Sequence, residues 1–124
     1  IAVLMQTLPY VTGYFPNEEE MVSVTGTSDI PAAYDVLRDM HIPLVVVKRG
    51  AKGCTVFAHE ERIDVSGLEV DVQSSVGAGD CFNAAYIHQY LRGMTPESCA
   101  RYAVAASAFR VSRNRQPTHT ELLF

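Results

Sequence analysis

The chain has 124 residues, 48% of them apolar and 19% charged, with a net charge of −4. This is ordinary globular composition, enough for a buried core and for one domain rather than several. The acidic balance argues against a nucleic-acid-binding face, and no apolar run reaches the roughly 18 residues of a membrane span.

Three cysteines, Cys54, Cys81 and Cys99, are odd in number and lack CxxC spacing. They read as reduced thiols in a cytoplasmic protein. His41, His59, His88 and His119 are scattered, and no pair has metal-ligand spacing. Ile1–Met5 has no initiator Met and lacks the basic flank and cleavage site of a signal peptide. It reads as the middle of an element, so the chain is expected to be a piece of something longer.

In chain order, Ile1–Leu8 is apolar up to Pro9 and fits a helix tail or a buried strand. Tyr10–Phe15 reads as a short strand entering Pro16. Asn17 is a good helix N-cap, and Glu20, three residues on, completes a capping box. Glu18 and Glu19 suit the positive end of that helix, which should stop near Gly26. Ser28 or Asp29 opens a second helix with Pro31 in its first turn and Ala33, Val36, Leu37 and Met40 on one apolar face. Ile42-Pro43 ends it. Leu44–Lys48 is a β-branched run of the kind buried on both faces of a sheet, so helix followed by strand points to an α/β layer with parallel pairing.

Arg49–Gly53 is a glycine turn. Cys54–Ala58 and Arg62–Val65 read as a partly exposed hairpin with its tip at His59–Glu61, and Ser66–Val72 as a loop or edge strand. Val76-Gly77-Ala78-Gly79-Asp80 then leads into a helix running from Asp80 to Leu91, closed by Arg92-Gly93. Thr95 caps a further helix with Pro96 in its first turn, and the run Ala100, Ala103, Ala105, Ala106, Ala108 permits close packing. That packing fits either the protein's own core or a homodimer interface. Arg101, Arg110, Arg113 and Arg115 gather late, as a solvated face or as an edge turned to anionic ligands. A short helix starts at Thr120.

The chemistry concentrates at Gly77–Asp80. Bare backbone at a helix start presents free N–H groups and the positive end of the macrodipole, a ready anion site for which phosphate is the usual ligand. Asp80 cannot bind phosphate itself, so it either caps the helix or does chemistry beside a phosphate. No GxxxxGK[ST] loop is present, and Phe82 stands where a dinucleotide fingerprint needs its third glycine.

Taken together, Pro16-Asn17-Glu18-Glu19-Glu20, Val45-Val46-Val47-Lys48-Arg49-Gly50-Ala51-Lys52-Gly53 and Val76–Tyr86 resemble the ordered motifs of the C-terminal part of PfkB/ribokinase-family carbohydrate kinases. The resemblance covers nearly all of the chain, including the ending Gln116–Leu123. It implies a ribokinase-like three-layer α/β/α fold with a mainly parallel sheet, of which residues 1–124 are one partial, nucleotide-side domain. It implies ATP-dependent phosphorylation of a hydroxyl on a sugar, nucleoside or similar small molecule, with ATP and Mg²⁺ as cofactors. Asp80 matches the catalytic base, and Gly77, Ala78 and Gly79 the anion hole. Asn17 and Glu20 match the N-x-x-E residues that organise magnesium and phosphate, largely through water. Lys48, Gly50 and Gly53 fall on the turn that, with parts of the final helix, walls the adenine pocket.

One departure stands out. Ser74 and Ser75 occupy the places of an acid and a threonine in the family's D-T-x-G-A-G-D. The acid often fixes the loop or a nearby monovalent cation, which puts potassium activation in doubt. Two other readings exist: a non-catalytic nucleotide-binding or regulatory module of the same fold, and an unrelated α/β domain whose Gly-Ala-Gly turn only starts a helix. The chain alone is expected to lack kinase activity, with substrate residues lying elsewhere.

Overall fold

Side-chain caps open two of the three α-helices in the first third of the chain. The computed structural model describes residues 2–113, 115 and 117–122. After α1 (Ala2–Thr7) and a 3₁₀ turn at Leu8–Tyr10 come β1 (Gly13–Tyr14), α2 (Glu18–Thr25) and α3 (Ile30–Asp39). Asn17 Oδ1 accepts from Glu20 N–H at 2.7 Å, and Glu20 Oε1 accepts from Asn17 N–H at 3.0 Å, completing the capping box. Asp29 caps α3 through Ala32 N–H at 2.8 Å. Gly26 ends α2 at φ 69°, where a Cβ would be strained.

β2 (Leu44–Lys48), a 3₁₀ turn at Gly50–Lys52, β3 (Gly53–Ala58) and β4 (Glu61–Ser66) follow. The sheet order is β1-β2-β3-β4. β1 and β2 are parallel, with Gly13 opposite Leu44 and Tyr14 opposite Val45, and an isolated parallel bridge joins Asn17 to Lys48. The short links from β2 to β3 and from β3 to β4 allow only antiparallel neighbours, so the sheet is mixed. The remaining elements are α4 (Ala78–Leu91), α5 (Pro96–Arg113) and α6 (His119–Leu122).

The chain folds as two compact units, Ile1–Arg49 with Thr55–Arg62, and Gly50–Cys54 with Ile63–Phe124. In the first, Leu8, Met21, Val24, Ala33, Leu37, Val45, Val47 and Phe57 form one buried cluster. Val45 and Val47 share a strand face, as the two-residue period requires. Tyr34 stacks on Phe57 with ring centroids 3.6 Å apart. In the second, α4 packs on α5 through Cys81, Phe82, Ala85 and Tyr86 on one side and Ala100, Ala103, Val104 and Ala106 on the other, all buried. Burial, with Cys99, Cys54 and Tyr90 nearby, pushes the Tyr86 phenol well above its usual range. The opposite side of α4 is also apolar: Ile87, Tyr90, Leu91 and, just beyond the helix, Met94 are exposed.

Several boundaries differ from expectation. The strand expected over Tyr10–Phe15 shrinks to Gly13–Tyr14, because Pro9 folds Leu8–Tyr10 into a 3₁₀ turn. The hairpin is unevenly exposed: β3 is buried throughout, whereas β4 is mostly open. Its two-residue tip holds His59 and Glu60 at φ 52° and 65°. α4 starts at Ala78, with Gly77 rather than Asp80 as its N-cap, so Asp80 stands in the first turn and not at the cap position. α6 starts at His119, and Thr118 supplies its cap: Glu121 N–H donates to Thr118 Oγ1 at 3.3 Å, and Thr118 N–H to Glu121 Oε1 at 2.9 Å.

Two predictions follow from this packing. Gly53 lies at φ 99°, and a Cβ there would run into the Val65 carbonyl and sit 2.6 Å from Gly67 N. Gly53→Ala is expected to cost about 3 kcal/mol or more, read as a lowered denaturation midpoint. At α6, the Arg115 guanidinium grips both Glu121 oxygens at 3.0 and 2.8 Å. These bonds, with Thr118 N–H, hold the Glu121 carboxyl at a pKa of about 2 against the ordinary 4.5. A lowered folded value means the contact is complete above pH 4.5 and is lost as pH falls toward 2. A carboxyl NMR titration of Glu121 should therefore show its midpoint near the lower figure.

Candidate functional site

In the first unit, the parallel bridge to Lys48 brings Asn17 to the carboxyl end of β1, the end at which open α/β sheets bind ligands. Lys48 N–H donates to the Pro16 carbonyl at 2.8 Å, fixing the entry into α2. Asn17, Glu18, Glu19 and Glu20 crowd this helix start, and Arg49 Nε lies 3.6 Å from Glu18 Oε1. The cap engages Glu20 through Oε1 and leaves Oε2 outside it. Burial, then the charge of Glu20, pushes the Tyr14 phenol up. An oriented carboxylate beside an amide side chain can hold a hard divalent cation through water. Among the described residues no group of three or more His, Cys, Asp or Glu side chains could chelate a metal alone.

In the second unit, Gly77 takes φ 78°, ψ 3°, which favours a residue without a Cβ. A Cβ built there would meet Nε and Nη2 of Arg110, each at 3.4 Å. The first helical bond runs from Cys81 N–H to Gly77 O at 3.0 Å. Ala78 N–H closes a turn on Ser75 O at 3.3 Å. Of the three expected anion-hole residues, Ala78 is thus partly engaged by the turn itself. Asp80 is exposed at the third helical position, where the helix dipole favours its charge.

Next to this turn lies a cleft of about 450 Å³. One wall is the backbone of Gly50, Ala51, Gly53 and Gly67. Opposite stand Val104, Ser107, Ala108 and Val111, an i, i+3, i+4, i+7 face of α5, with Ala78 and Phe82 of α4. Leu68, Val70 and Val72 complete it, although each is substantially exposed. Gly67 has to be bare because a Cβ there would collide with the Ala51 carbonyl. The lining is mostly apolar with a few backbone polar groups, as is usual for small-molecule sites.

Sequence-predicted residues therefore divide between the units. Asn17, Glu20 and Lys48 belong to the first; Gly50, Gly53, Gly77, Ala78, Gly79 and Asp80 belong to the second. Gly50 and Gly53 line the cleft, while Lys48 does not. The sequence reading missed Leu68, Val70 and Val72. Their i, i+2, i+4 spacing in an otherwise polar stretch was the available signal, since it puts three apolar side chains on one side of an extended segment.

Residues 1–118 match the sequence pattern of pfkB family carbohydrate kinases. The chain belongs to the pfkB family. A sugar kinase of Archaeoglobus fulgidus is 32% identical over 94 residues, covering 76% of this chain and 37% of that protein. A putative ribokinase II from Escherichia coli, solved with ATP and Mg²⁺, superposes with a TM-score of 0.86 at 28% identity, over 97% of this chain and 39% of that one. A fructokinase double mutant from Vibrio cholerae, solved with fructose, ADP and potassium, gives 0.84 at 27% identity, over 98% and 40%. The chain thus spans little more than a third of the length of the curated pfkB relative. The shared architecture bears out the expected ribokinase-like α/β fold.

Ala108 lines the cleft, so its enlargement should fill part of the space. Ala108→Phe is expected to weaken binding of a fluorescent ATP analogue by about tenfold or more while the circular dichroism spectrum is kept.

Proposed function

We propose that the protein carrying this chain transfers the γ-phosphoryl group of ATP to a hydroxyl of a sugar or sugar-like small molecule, nucleosides included. The observation that carries this reading is Asp80 on the first turn of α4, beside a bare glycine backbone and an apolar cleft. In phosphoryl transfer there is little covalent chemistry for a protein to perform, so positioning and charge stabilisation dominate. A carboxylate, donors for developing negative charge and a base pocket are the parts required.

Asp80 accepts the proton of the attacking hydroxyl. Gly77 and Gly79 offer backbone N–H groups to the charge developing on the transferred phosphoryl, and Ala78 contributes what its turn bond leaves. The adenine lies in the cleft between the Gly50–Gly53 turn and α5. Asn17 and Glu20 fit the requirements of magnesium, since one hard carboxylate and an amide suffice when phosphates and water complete the shell. When bound, magnesium neutralises charge on the phosphates. The reciprocal cap is compatible with this role, because it fixes the Glu20 carboxylate while sparing Oε2. The three buried cysteines, none of them in a disulfide, suit a reducing, cytoplasmic setting.

The test uses the full-length protein with Mg-ATP and a panel of sugars, sugar phosphates and nucleosides, following ADP release. Turnover is expected with one acceptor class. Asp80→Asn should lower kcat by roughly 10²–10⁴-fold with nucleotide affinity retained. ATP binding without turnover for any acceptor would instead favour a regulatory module.

A further inference from the structure

The segment entering the Gly77 turn is fastened to the carboxyl end of α5. The Val111 carbonyl accepts two N–H groups, from Gln73 at 2.7 Å and from Ser74 at 3.1 Å. Ser74 Oγ accepts from Val76 N–H at 3.2 Å. Arg110, the residue before Val111, lays its guanidinium along the backbone of Gly77 at ordinary van der Waals distance from where a Cβ would stand. Its field reaches Cys81, where it partly offsets the upward push of burial on the thiol.

This donor set does not fit a bound potassium ion. A monovalent cation needs a shell of oxygen acceptors. Position 74, where the family resemblance places an acid, carries a neutral hydroxyl that already accepts a hydrogen bond within the loop. The nearby Val111 carbonyl already carries two donors. The Arg110 guanidinium already stands on the Gly77 side of the turn, and it would repel a second cation placed beside it.

We propose that Arg110 is a built-in cation for the Gly77–Asp80 turn, taking the place of a monovalent metal ion. It is a positioning residue: the guanidinium steadies the turn and lends positive charge to the side from which phosphate is held. Turnover is consequently indifferent to potassium. The inference rests on the kinase reading for its rate measurement and on the geometry alone for its thermal-unfolding measurement.

In the full-length protein, initial rates with Mg-ATP and the accepted sugar are compared in potassium, sodium and choline chloride at equal ionic strength. The wild-type rates should agree within about twofold. Arg110→Ala should lower kcat by about tenfold or more, and Arg110→Lys should retain most of the rate. The double variant Ser74→Asp/Arg110→Ala should regain turnover in potassium and not in choline, which a purely structural role for Arg110 would not produce. Thermal unfolding in the same salts is a second readout independent of catalysis: potassium should raise the Tm of the double variant and leave the wild type unmoved. Potassium acceleration or stabilisation of the wild type, full activity of Arg110→Ala, or a double variant blind to potassium in both assays would each overturn the inference. Absence of turnover with every acceptor would remove the kinase reading, and the melting comparison would still decide the cation question.

Discussion

The close approach of α4 to α5 is the contact on which the second unit depends, and it is possible only because the facing side chains are small. Ala100, Ala103 and Ala106 are fully buried, and the Cys81 thiol donates to the Ala106 carbonyl at 3.5 Å. A larger residue at any of these places would push the helices apart, since interiors tolerate little extra volume. With the helices this close, the amino end of α4 lies against the last turns of α5. The glycine turn, the arginine beside it and the wall of the cleft are all consequences of that packing. Gly77 is required there by its positive φ, while the guanidinium beside it would meet an added Cβ only at ordinary van der Waals distance.

The first unit holds its candidate residues by a different route. Its acidic helix start is held by a reciprocal cap, in which each of Asn17 and Glu20 satisfies the other's backbone N–H. A capping box is normally a stabilising device worth about 1 kcal/mol. Here it also restricts the rotamers of two polar side chains at the end of a parallel strand, so their orientation is set before any ligand arrives. The structural reading of Asn17 and Glu20 and the proposed phosphate-side role therefore do not compete, because one set of bonds would serve both.

Much of this was legible from the residues. The caps at Asn17, Asp29 and Thr95 could be read because each depends on a local spacing that the chain carries within four residues. The buried strand at Leu44–Lys48 was legible for the same reason. Features set by distant residues were not. Nothing in the sequence around Gly77 announces that Arg110 will lie beside it, and the Leu68–Val72 stretch reads as loop until α5 is placed opposite. The hairpin tip offered no Asn-Gly signal: His59 and Glu60 adopt positive φ because the flanking strands require the tight turn. Asp80 was ambiguous for a subtler reason. An acid near a helix start is a good cap and a good first-turn residue alike, and only the conformation of Gly77 separates the two.

α5 has a further consequence. One face, from Val104 to Val111, lines the cleft, and the carbonyl of Val111 anchors the loop that becomes the glycine turn. Those seven residues advance roughly 10 Å along the helix axis. On the kinase reading, a single rigid rod would therefore act as a ruler, setting the spacing between the proposed place for a flat ring and the proposed place for an anion. A ligand with a ring and a charged group at the matching separation meets both ends without reshaping the protein. One in which they are closer together or further apart must forfeit one end. Discrimination by length would then be inherent in the helix, before any side chain makes a specific contact.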